Sequence, residues 1–120
     1  MLSSLNSLSE LRLAFAQCEK KIFKTPTQIS LEIILFIKSN GDKVAMREIF
    51  KNIPSTAQTI NVHLVALKKA EMIEYSNSET DLRQKYVLLT PKSNQLLVDY
   101  LNEIKTPLRE FVGKANVLLK

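Results

Sequence analysis

The chain has 120 residues, of which 45% are hydrophobic and only two are glycine and four proline, which suffices for one domain with a core and excludes a disordered or collagen-like chain. The 17 Lys and Arg residues against 12 Asp and Glu give a net charge of +5, which agrees with a polyanionic partner, although the excess is spread along the chain. A single cysteine excludes an intrachain disulfide, and one cysteine with one histidine excludes a Cys/His zinc site. The apolar runs are too short for a membrane span or a signal peptide. We therefore expect a cytoplasmic protein that holds no metal or cofactor.

The first predicted element is a long helix over residues 3–24. Its apolar residues recur at spacings of three and four, namely Leu8, Leu11, Phe15, Cys18 and Ile22. Such a seam predicts a face that packs against another helix. Because Cys18 falls in the seam, where a thiol acts as a small hydrophobe with raised pKa, we favour packing over oxidant sensing for it.

A second helix is predicted to begin at Thr25 and Pro26. Thr25 is a good N-cap, Pro26 suits the first helical position, and Gln28 completes a capping box. The helix extends to about Asn40, where Gly41 can adopt the left-handed conformation that ends helices. Its apolar residues leave little polar face, which predicts a central buried helix.

Two further helices and a turn follow. Residues 44–52 read as a short helix, Ile53-Pro54-Ser55 as the turn, and residues 56–70 as a helix capped by Thr56. The inward positions of this last helix are Ile60, Leu64 and Leu67. The outward positions are Gln58, Asn61, Val62, Val65 and Lys69. His63 lies between the two faces and is predicted to be a half-buried packing residue.

Residues 72–90 read as strand, polar loop, strand. Two helices followed by a hairpin form the winged helix-turn-helix, a fold that mostly binds duplex DNA. We therefore predict a mainly α (α+β) protein, with a winged helix-turn-helix core over residues 25–92 of one domain, 1–120.

The C-terminal residues 93–120 are predicted to form another helix. Its apolar residues follow a heptad pattern: Leu97, Leu101, Ile104, Leu108, Phe111, Ala115 and Leu118. Pro107 lies inside this pattern and predicts a kink or a break. Long apolar seams on both terminal helices, 3–24 and 93–120, suggest helices exchanged in a dimer. The predicted dimer seam comprises Leu8, Leu11, Phe15, Leu101, Ile104, Leu108 and Phe111.

The hairpin and its surroundings resemble a known family. The chain reads Asp81-Leu82-Arg83, then a strand ending Leu89-Thr90, then Ser93, where a helix opens. This D-x-R and L-T pattern resembles the MarR-type transcriptional regulators, and the likeness extends over roughly residues 5–105. The resemblance implies a homodimer whose helix 56–70 enters the DNA major groove while Arg83 reaches the minor groove, held by Asp81.

The residues that would contact DNA fall into three groups. The major-groove group comprises Thr56, Gln58, Asn61, Val62 and Val65. The wing group for the minor groove comprises Asp81, Arg83 and Lys85, because an arginine on a hairpin tip fits a narrow, electronegative groove. The phosphate group comprises Arg47, Lys51 and Lys69. Each of these polar residues is also compatible with an ordinary solvated surface, although the surrounding pattern favours the DNA role for Arg83 and Lys85.

Three positions depart from the family pattern. Glu71 and Ser93 stand where glycine is common, so the turn after the helix 56–70 is expected to differ. Val62 stands where arginine is common, which removes a strong guanine contact. Since Gln58 and Asn61 can bind adenine edges and Val62 or Val65 can touch thymine methyls, we predict a weakly held site rich in A·T pairs.

The sequence therefore predicts a DNA-binding transcriptional regulator that acts as a homodimer and a repressor, on half-sites one helical turn apart. A small-molecule effector that rearranges the helices would shift this spacing and release DNA. The alternative is a winged-helix module for protein–protein interaction within a larger assembly. A lone histidine without a partner nucleophile and the lack of a glycine-rich phosphate loop argue against an enzyme.

Overall fold

The computed structural model describes the backbone of residues 2–23, 28–81 and 83–119, and the side chains of 8–23, 28–81 and 83–113. Within these ranges the elements are α1 (Leu2–Phe23), α2 (Gln28–Ser39), β1 (Lys43–Ala45), α3 (Met46–Asn52), α4 (Ala57–Lys69), β2 (Ile73–Asn77), β3 (Lys85–Leu89) and α5 (Pro91–Leu119). The predicted mainly α winged helix-turn-helix is confirmed. No helix in the described ranges is long and apolar enough to cross a membrane.

The chain divides into two compact units. The core unit comprises residues 26–95, and the helical unit comprises residues 1–25 together with 96–120. The predicted cap at Thr25 and Pro26 lies outside the described residues.

The core unit contains an antiparallel sheet of order β1-β3-β2. Val87 at the centre of β3 is paired with Val44 on one side and Tyr75 on the other. The expectation that a helix begins at Val44 is wrong, because residues 43–45 form β1 and the helix begins at Met46. Three residues are too few to show a strand periodicity, and β1 exists through its pairing with β3.

The core is built from α2 and the inward face of α4. The buried α2 residues are Leu31, Ile33, Ile34 and Ile37, and the buried α4 residues are Ile60, Leu64 and Leu67. The α4 set confirms the prediction from spacing, and α2 is largely buried as expected, although Leu35 exposes 41% of its surface. Each buried side chain contributes roughly 1.5–3 kcal/mol when it leaves water, and Ile49, Ile73 and Val87 complete the core from α3 and the sheet.

Two local signals act as predicted. Gly41 has a φ of 82° at the end of α2, and Asp42 follows it with a φ of 70°. The hydroxyl of Thr56 caps α4 by accepting the N–H of Thr59 at 3.2 Å. Both features set where a helix begins or ends before any long-range contact forms.

His63 of α4 is half-buried, as predicted, and joins its helix to α2. Its Nδ1 lies 3.0 Å from the hydroxyl oxygen of the buried Ser30. This polar contact fixes the rotation of α4 against α2 and thereby helps to define which α4 residues face outward.

The turn after α4 is tied to the start of α5. The Thr90 hydroxyl donates to the carbonyl of Glu71 at 2.7 Å and accepts the N–H of Ser93 at 3.2 Å. The Lys92 ammonium donates to the carbonyl of Ala70 at 2.9 Å, and the fully buried Ser93 hydroxyl donates to the carbonyl of Met72. These contacts, which we call the α4–α5 joint, bind the carbonyls of the three residues that follow α4 to the start of α5.

Helix α5 begins at Pro91, two residues before the predicted start, because Thr90 is its cap and proline suits the first helical position. The helix continues through Pro107 to Leu119, so of the two expected outcomes, a kink or a break, the break does not occur. A proline inside a helix costs about 3 kcal/mol. Ile104 and Phe111 on either side of Pro107 are half-buried.

Polar contacts join α1 to α5 within the helical unit. The Tyr100 hydroxyl donates to the Glu19 carboxylate at 3.2 Å, and the Phe23 and Tyr100 rings lie 5.7 Å apart between centroids. Burial, followed by the Glu19 charge, raises the pKa of Tyr100 to about 12. Lys21 and Glu103 form an exposed ion pair at 2.9 Å.

We predict that Glu71→Gly stabilises the protein. Glu71 has a φ of 62° in the turn after α4, a left-handed conformation that costs a side-chain-bearing residue about 1–2 kcal/mol. After the greater entropy of glycine in the unfolded chain is subtracted, we expect a gain of about 0.5–1 kcal/mol in the free energy of unfolding. Urea denaturation measures it.

The matched control is Glu48→Gly in α3, which removes the same side chain from a helical position and should lose about 1 kcal/mol. Equal losses in both variants would show that the backbone at Glu71 is not strained.

Candidate nucleic-acid interface

The outward face of α4 presents the residues that the sequence assigns to the major groove. Gln58, Asn61, Val62 and Val65 are all exposed, and the two valines expose 61% and 60% of their surface. Spacings of three and four residues make these four side chains neighbours on one helix surface. Thr56 is exposed as well, but its hydroxyl is engaged in capping α4.

Charge on α4 is confined to its last turn. Lys68 and Lys69 are exposed there and favour the negative end of the helix dipole with or without DNA. The centre of the outward face is therefore uncharged, and cations stand at its end.

The loop between β2 and β3 is ordered by its own hydrogen bonds. The Ser78 N–H donates to the Gln84 carbonyl at 2.9 Å, and the Ser78 hydroxyl accepts the N–H groups of Thr80 and Asp81 at 3.3 and 3.2 Å. The Asp81 carboxylate accepts the backbone N–H of Arg83 at 3.0 Å. The wing tip is thus held in a turn that presents exposed Arg83.

The role of Asp81 differs in geometry from the prediction. We expected Asp81 to hold the side chain of Arg83. Both residues lie in the turn outside β2 and β3, and the carboxylate binds the Arg83 backbone. Asp81 therefore shapes the loop that carries the arginine, and Leu82 between them lies outside the described residues.

A cleft of about 430 Å³ lies between α3 and the wing. Its lining residues are Met46, Arg47, Phe50, Asp81, Arg83, Gln84 and Lys85. The fold thus brings together three cations that the sequence analysis assigned separately, one from α3 and two from the wing, with a single carboxylate among them. An anionic group such as a backbone phosphate fits this charge balance.

One predicted phosphate contact lies outside the cleft, and three residues that line the cleft were not predicted. Lys51 is exposed on α3 but does not line the cleft. Met46, Phe50 and Gln84 line it and were missed by the sequence analysis. The spacing of Met46 and Phe50, one helical turn apart, was the available signal.

The predicted dimer seam divides into covered and exposed residues. Leu11 is buried, and Phe15, Ile104 and Phe111 are half-buried. Leu8, Leu101 and Leu108 expose 44%, 59% and 41% of their surface. Ala115 and Leu118 have side chains outside the described residues.

A second row of apolar residues on α5 is exposed, and we call it the exposed α5 stripe. It comprises Val98, Leu101, Leu108 and Val112. Val98 and Val112 were missed by the heptad reading, although they lie three and four residues from Leu101 and Leu108. The apolar surface of α5 is thus wider than one seam, and part of it is not covered by the residues that the structure describes.

Cys18 is half-buried in the helical unit. Burial, followed by the nearby Glu103 carboxylate, raises the pKa of its thiol. A raised pKa lowers the fraction of reactive thiolate, which agrees with the packing role expected from the sequence.

Comparison with known proteins identifies the fold. No protein-family model and no curated protein sequence matches the chain. YusO from Bacillus subtilis has a similar structure, with a TM-score of 0.78 at 15% identity over 93% of this chain and 77% of that one. A MarR family transcriptional regulator from Streptomyces coelicolor, solved in complex with DNA, has a TM-score of 0.71 at 14% identity over 94% and 73%.

BpsR from Bordetella bronchiseptica, whose DNA binding is regulated by 6-hydroxynicotinic acid, has a TM-score of 0.66 at 15% identity over 88% and 74% of the two chains. These similarities show that the chain has the MarR-type winged-helix fold. They confirm the fold that the resemblance around Asp81, Arg83 and Thr90 implied.

We predict that Asp81→Asn retains the wing turn whereas Asp81→Ala loosens it. An asparagine oxygen can still accept the N–H of Arg83, and an alanine cannot. Loss of a bond worth about 1 kcal/mol should speed hydrogen exchange of the Arg83 amide about five-fold in the alanine variant alone. Measurement by NMR decides, and equal acceleration in both variants would assign the effect to the carboxylate charge.

Proposed function

We propose that this protein is a sequence-specific, double-stranded-DNA-binding transcriptional regulator that acts as a homodimer and represses by occupying its operator. The observation that carries the proposal is the combination of an uncharged, exposed α4 face with the cationic cleft of Arg47, Arg83 and Lys85. The Streptomyces regulator with the same fold is bound to DNA, which supports the proposal. That protein is a regulator rather than an enzyme, in agreement with the expectation of no catalytic role.

The proposed contacts follow from the chemistry of each surface. Helix α4 enters the major groove, where Gln58 and Asn61 bind adenine edges. Arg83 at the wing tip enters the flanking minor groove, whose narrow A·T-rich segments attract a guanidinium group. Arg47, Lys51 and Lys69 contact phosphates and set the register of the protein on the duplex.

The proposed site is rich in A·T pairs. The outward centre of α4 carries no arginine or lysine, so it lacks the side chains that bind guanine O6 and N7 most strongly. Affinity then depends on the cations of the cleft and of the last turn of α4 more than on guanine contacts.

The proposed dimer uses the apolar surface of the helical unit. The exposed α5 stripe is a row of apolar side chains interrupted by Lys105, and water contact with such a row is unfavourable. A second copy covers it by a two-fold contact in which each stripe meets the other. Two recognition helices related in this way select a pseudo-palindrome with half-sites one helical turn apart.

Regulation by a small molecule would act on the spacing of the two α4 helices in the proposed dimer. BpsR, which has a similar fold, responds to 6-hydroxynicotinic acid. In the proposed mechanism, a ligand that favours a different helix arrangement moves the two α4 helices out of register with the operator.

A second candidate function is a protein–protein interaction module. The exposure of Val62 and Val65 on α4 favours it, since an apolar helix surface also suits a protein partner. The salt dependence of binding distinguishes the two candidates. DNA releases condensed counterions when a protein binds it, so affinity for DNA falls steeply as the salt concentration rises.

We predict that Arg83→Ala weakens duplex binding and makes it less sensitive to salt. Removing one contact of a cation with DNA should lower the slope of log affinity against log salt by about one. Fluorescence anisotropy on a pool of random duplexes at two salt concentrations measures both effects.

The matched control is Lys20→Ala, which removes one exposed positive charge from α1 and should change neither affinity nor slope. Equal effects of both substitutions would reduce the role of Arg83 to net charge. Absence of wild-type binding at low salt would favour the protein-interaction module.

We predict that Leu101→Glu dissociates the dimer. Leu101 lies in the exposed α5 stripe, and a carboxylate there would lose its hydration in the apolar two-fold contact, a cost that the single neighbouring Lys105 does not offset. Leu13→Glu is the matched control, since both leucines expose 59% of their surface but Leu13 lies on α1, on the side of the helix away from buried Leu11. Analytical ultracentrifugation should show a monomer for Leu101→Glu only. A dimer that persists in that variant would exclude the stripe as the interface.

A further inference from the structure

We propose that α4 recognises the C5-methyl groups of thymine through Val62 and Val65. This inference rests on the proposed DNA-binding function and specifies which chemical group the recognition helix reads. The two valines expose 61% and 60% of their surface at a spacing of three residues, so their side chains form one apolar patch, the valine patch.

The valine patch has no structural use within the core unit. The buried residues of α4 are Ile60, Leu64 and Leu67, and the valines lie on its outward face. β-Branched residues are also poorer helix formers than the residues common on exposed helices, because they lose side-chain freedom against the preceding turn. Two such residues side by side on an exposed face therefore suit an apolar group supplied by a partner.

The surrounding charge identifies the partner as DNA. Beside the patch stand the amides of Gln58 and Asn61, and positive charge follows at Lys68 and Lys69 and in the α3–wing cleft. A polyanion whose apolar groups lie between two phosphate rows matches this pattern. In the major groove, the group of this kind is the thymine methyl.

The dimensions agree with this assignment. Gln58 to Val65 spans about 10 Å along the helix axis, since each residue rises about 1.5 Å. With about 3.4 Å per base pair, the four side chains cover about three base pairs. One or two thymine methyls within that length can contact the valine patch.

The same methyl position occurs in 5-methylcytosine, and Asn61 distinguishes the two bases. Asn61 is one residue from Val62 and one helical turn from Val65, so it faces the base pair that the valines contact. Its side-chain amide matches the donor and acceptor of adenine, the partner of thymine, whereas guanine offers two acceptors. The combination selects T·A pairs.

The test replaces thymine by uracil, which keeps every hydrogen-bonding group and removes only the methyl. Duplexes selected by the wild-type protein from a random pool are resynthesised with either base, and their affinities are compared for the wild type and for Val62→Ala combined with Val65→Ala. The wild type should bind the uracil duplex about four-fold more weakly for each methyl contacted. The double variant should bind both duplexes alike, at about the wild-type affinity for uracil DNA.

Lys69→Ala serves as the matched control on the same helix. As the loss of a phosphate contact, it should weaken binding to thymine and uracil duplexes by the same factor. Both valines are exposed and alanine is a better helix former, so the double variant should fold as the wild type does, which circular dichroism verifies.

Equal wild-type affinity for the two duplexes, with salt-dependent binding intact, would overturn the methyl reading and leave the proposed function standing. A thymine preference that persists in the double variant would overturn its assignment to the valines. If a duplex with 5-methylcytosine·guanine pairs at these positions bound as tightly as the thymine duplex, the choice of thymine over 5-methylcytosine would be overturned. Absence of duplex binding at low salt would refute the proposed function and this inference together.

Discussion

The core unit depends on how the turn after α4 is held. Three consecutive carbonyls, those of residues 70–72, accept hydrogen bonds from the side chains of Lys92, Thr90 and Ser93 at the start of α5. The carbonyls of Leu67 and Lys68 at the end of α4 accept the backbone N–H groups of Met72 and Glu71, and the α4–α5 joint holds the residues that follow, so the chain turns directly after α4. That turn leads into β2, and the pairing of β2 with β3 places the wing beside α3.

Folding brings together positive charges that are far apart along the chain. Along the chain the positive excess is diffuse, and Arg47 is 36 residues from Arg83. The sheet and α3 bring the two into one cleft with Lys85, whereas the outward centre of α4 stays neutral. In the proposed function these cations bind phosphates and the outward centre of α4 contacts bases, so affinity and sequence preference are set by different residues.

Apolar residues divide in a similar way. Ile60, Leu64 and Leu67 build the core, and the valine patch on the same helix stays exposed. On α5 the heptad positions Ile104 and Phe111 are half-buried, while Leu101 and Leu108 belong to the exposed α5 stripe. Exposed apolar surface that is contiguous and borders a core face indicates a second partner, which we propose is DNA for α4 and another copy of the chain for α5.

The sequence by itself determined the features that arise within a few residues: the buried face of α4 from its spacing, the Thr56 cap, the left-handed Gly41 and the order of helices and hairpin. Only the tertiary structure decided that residues 43–45 form a strand, because three residues become a strand only by pairing with distant β3. It likewise decided that Asp81 binds the backbone of Arg83, and that α5 continues past Pro107. Periodicity and capping are local energies, whereas strand pairing, loop closure and a tolerated proline depend on contacts between distant parts of the chain.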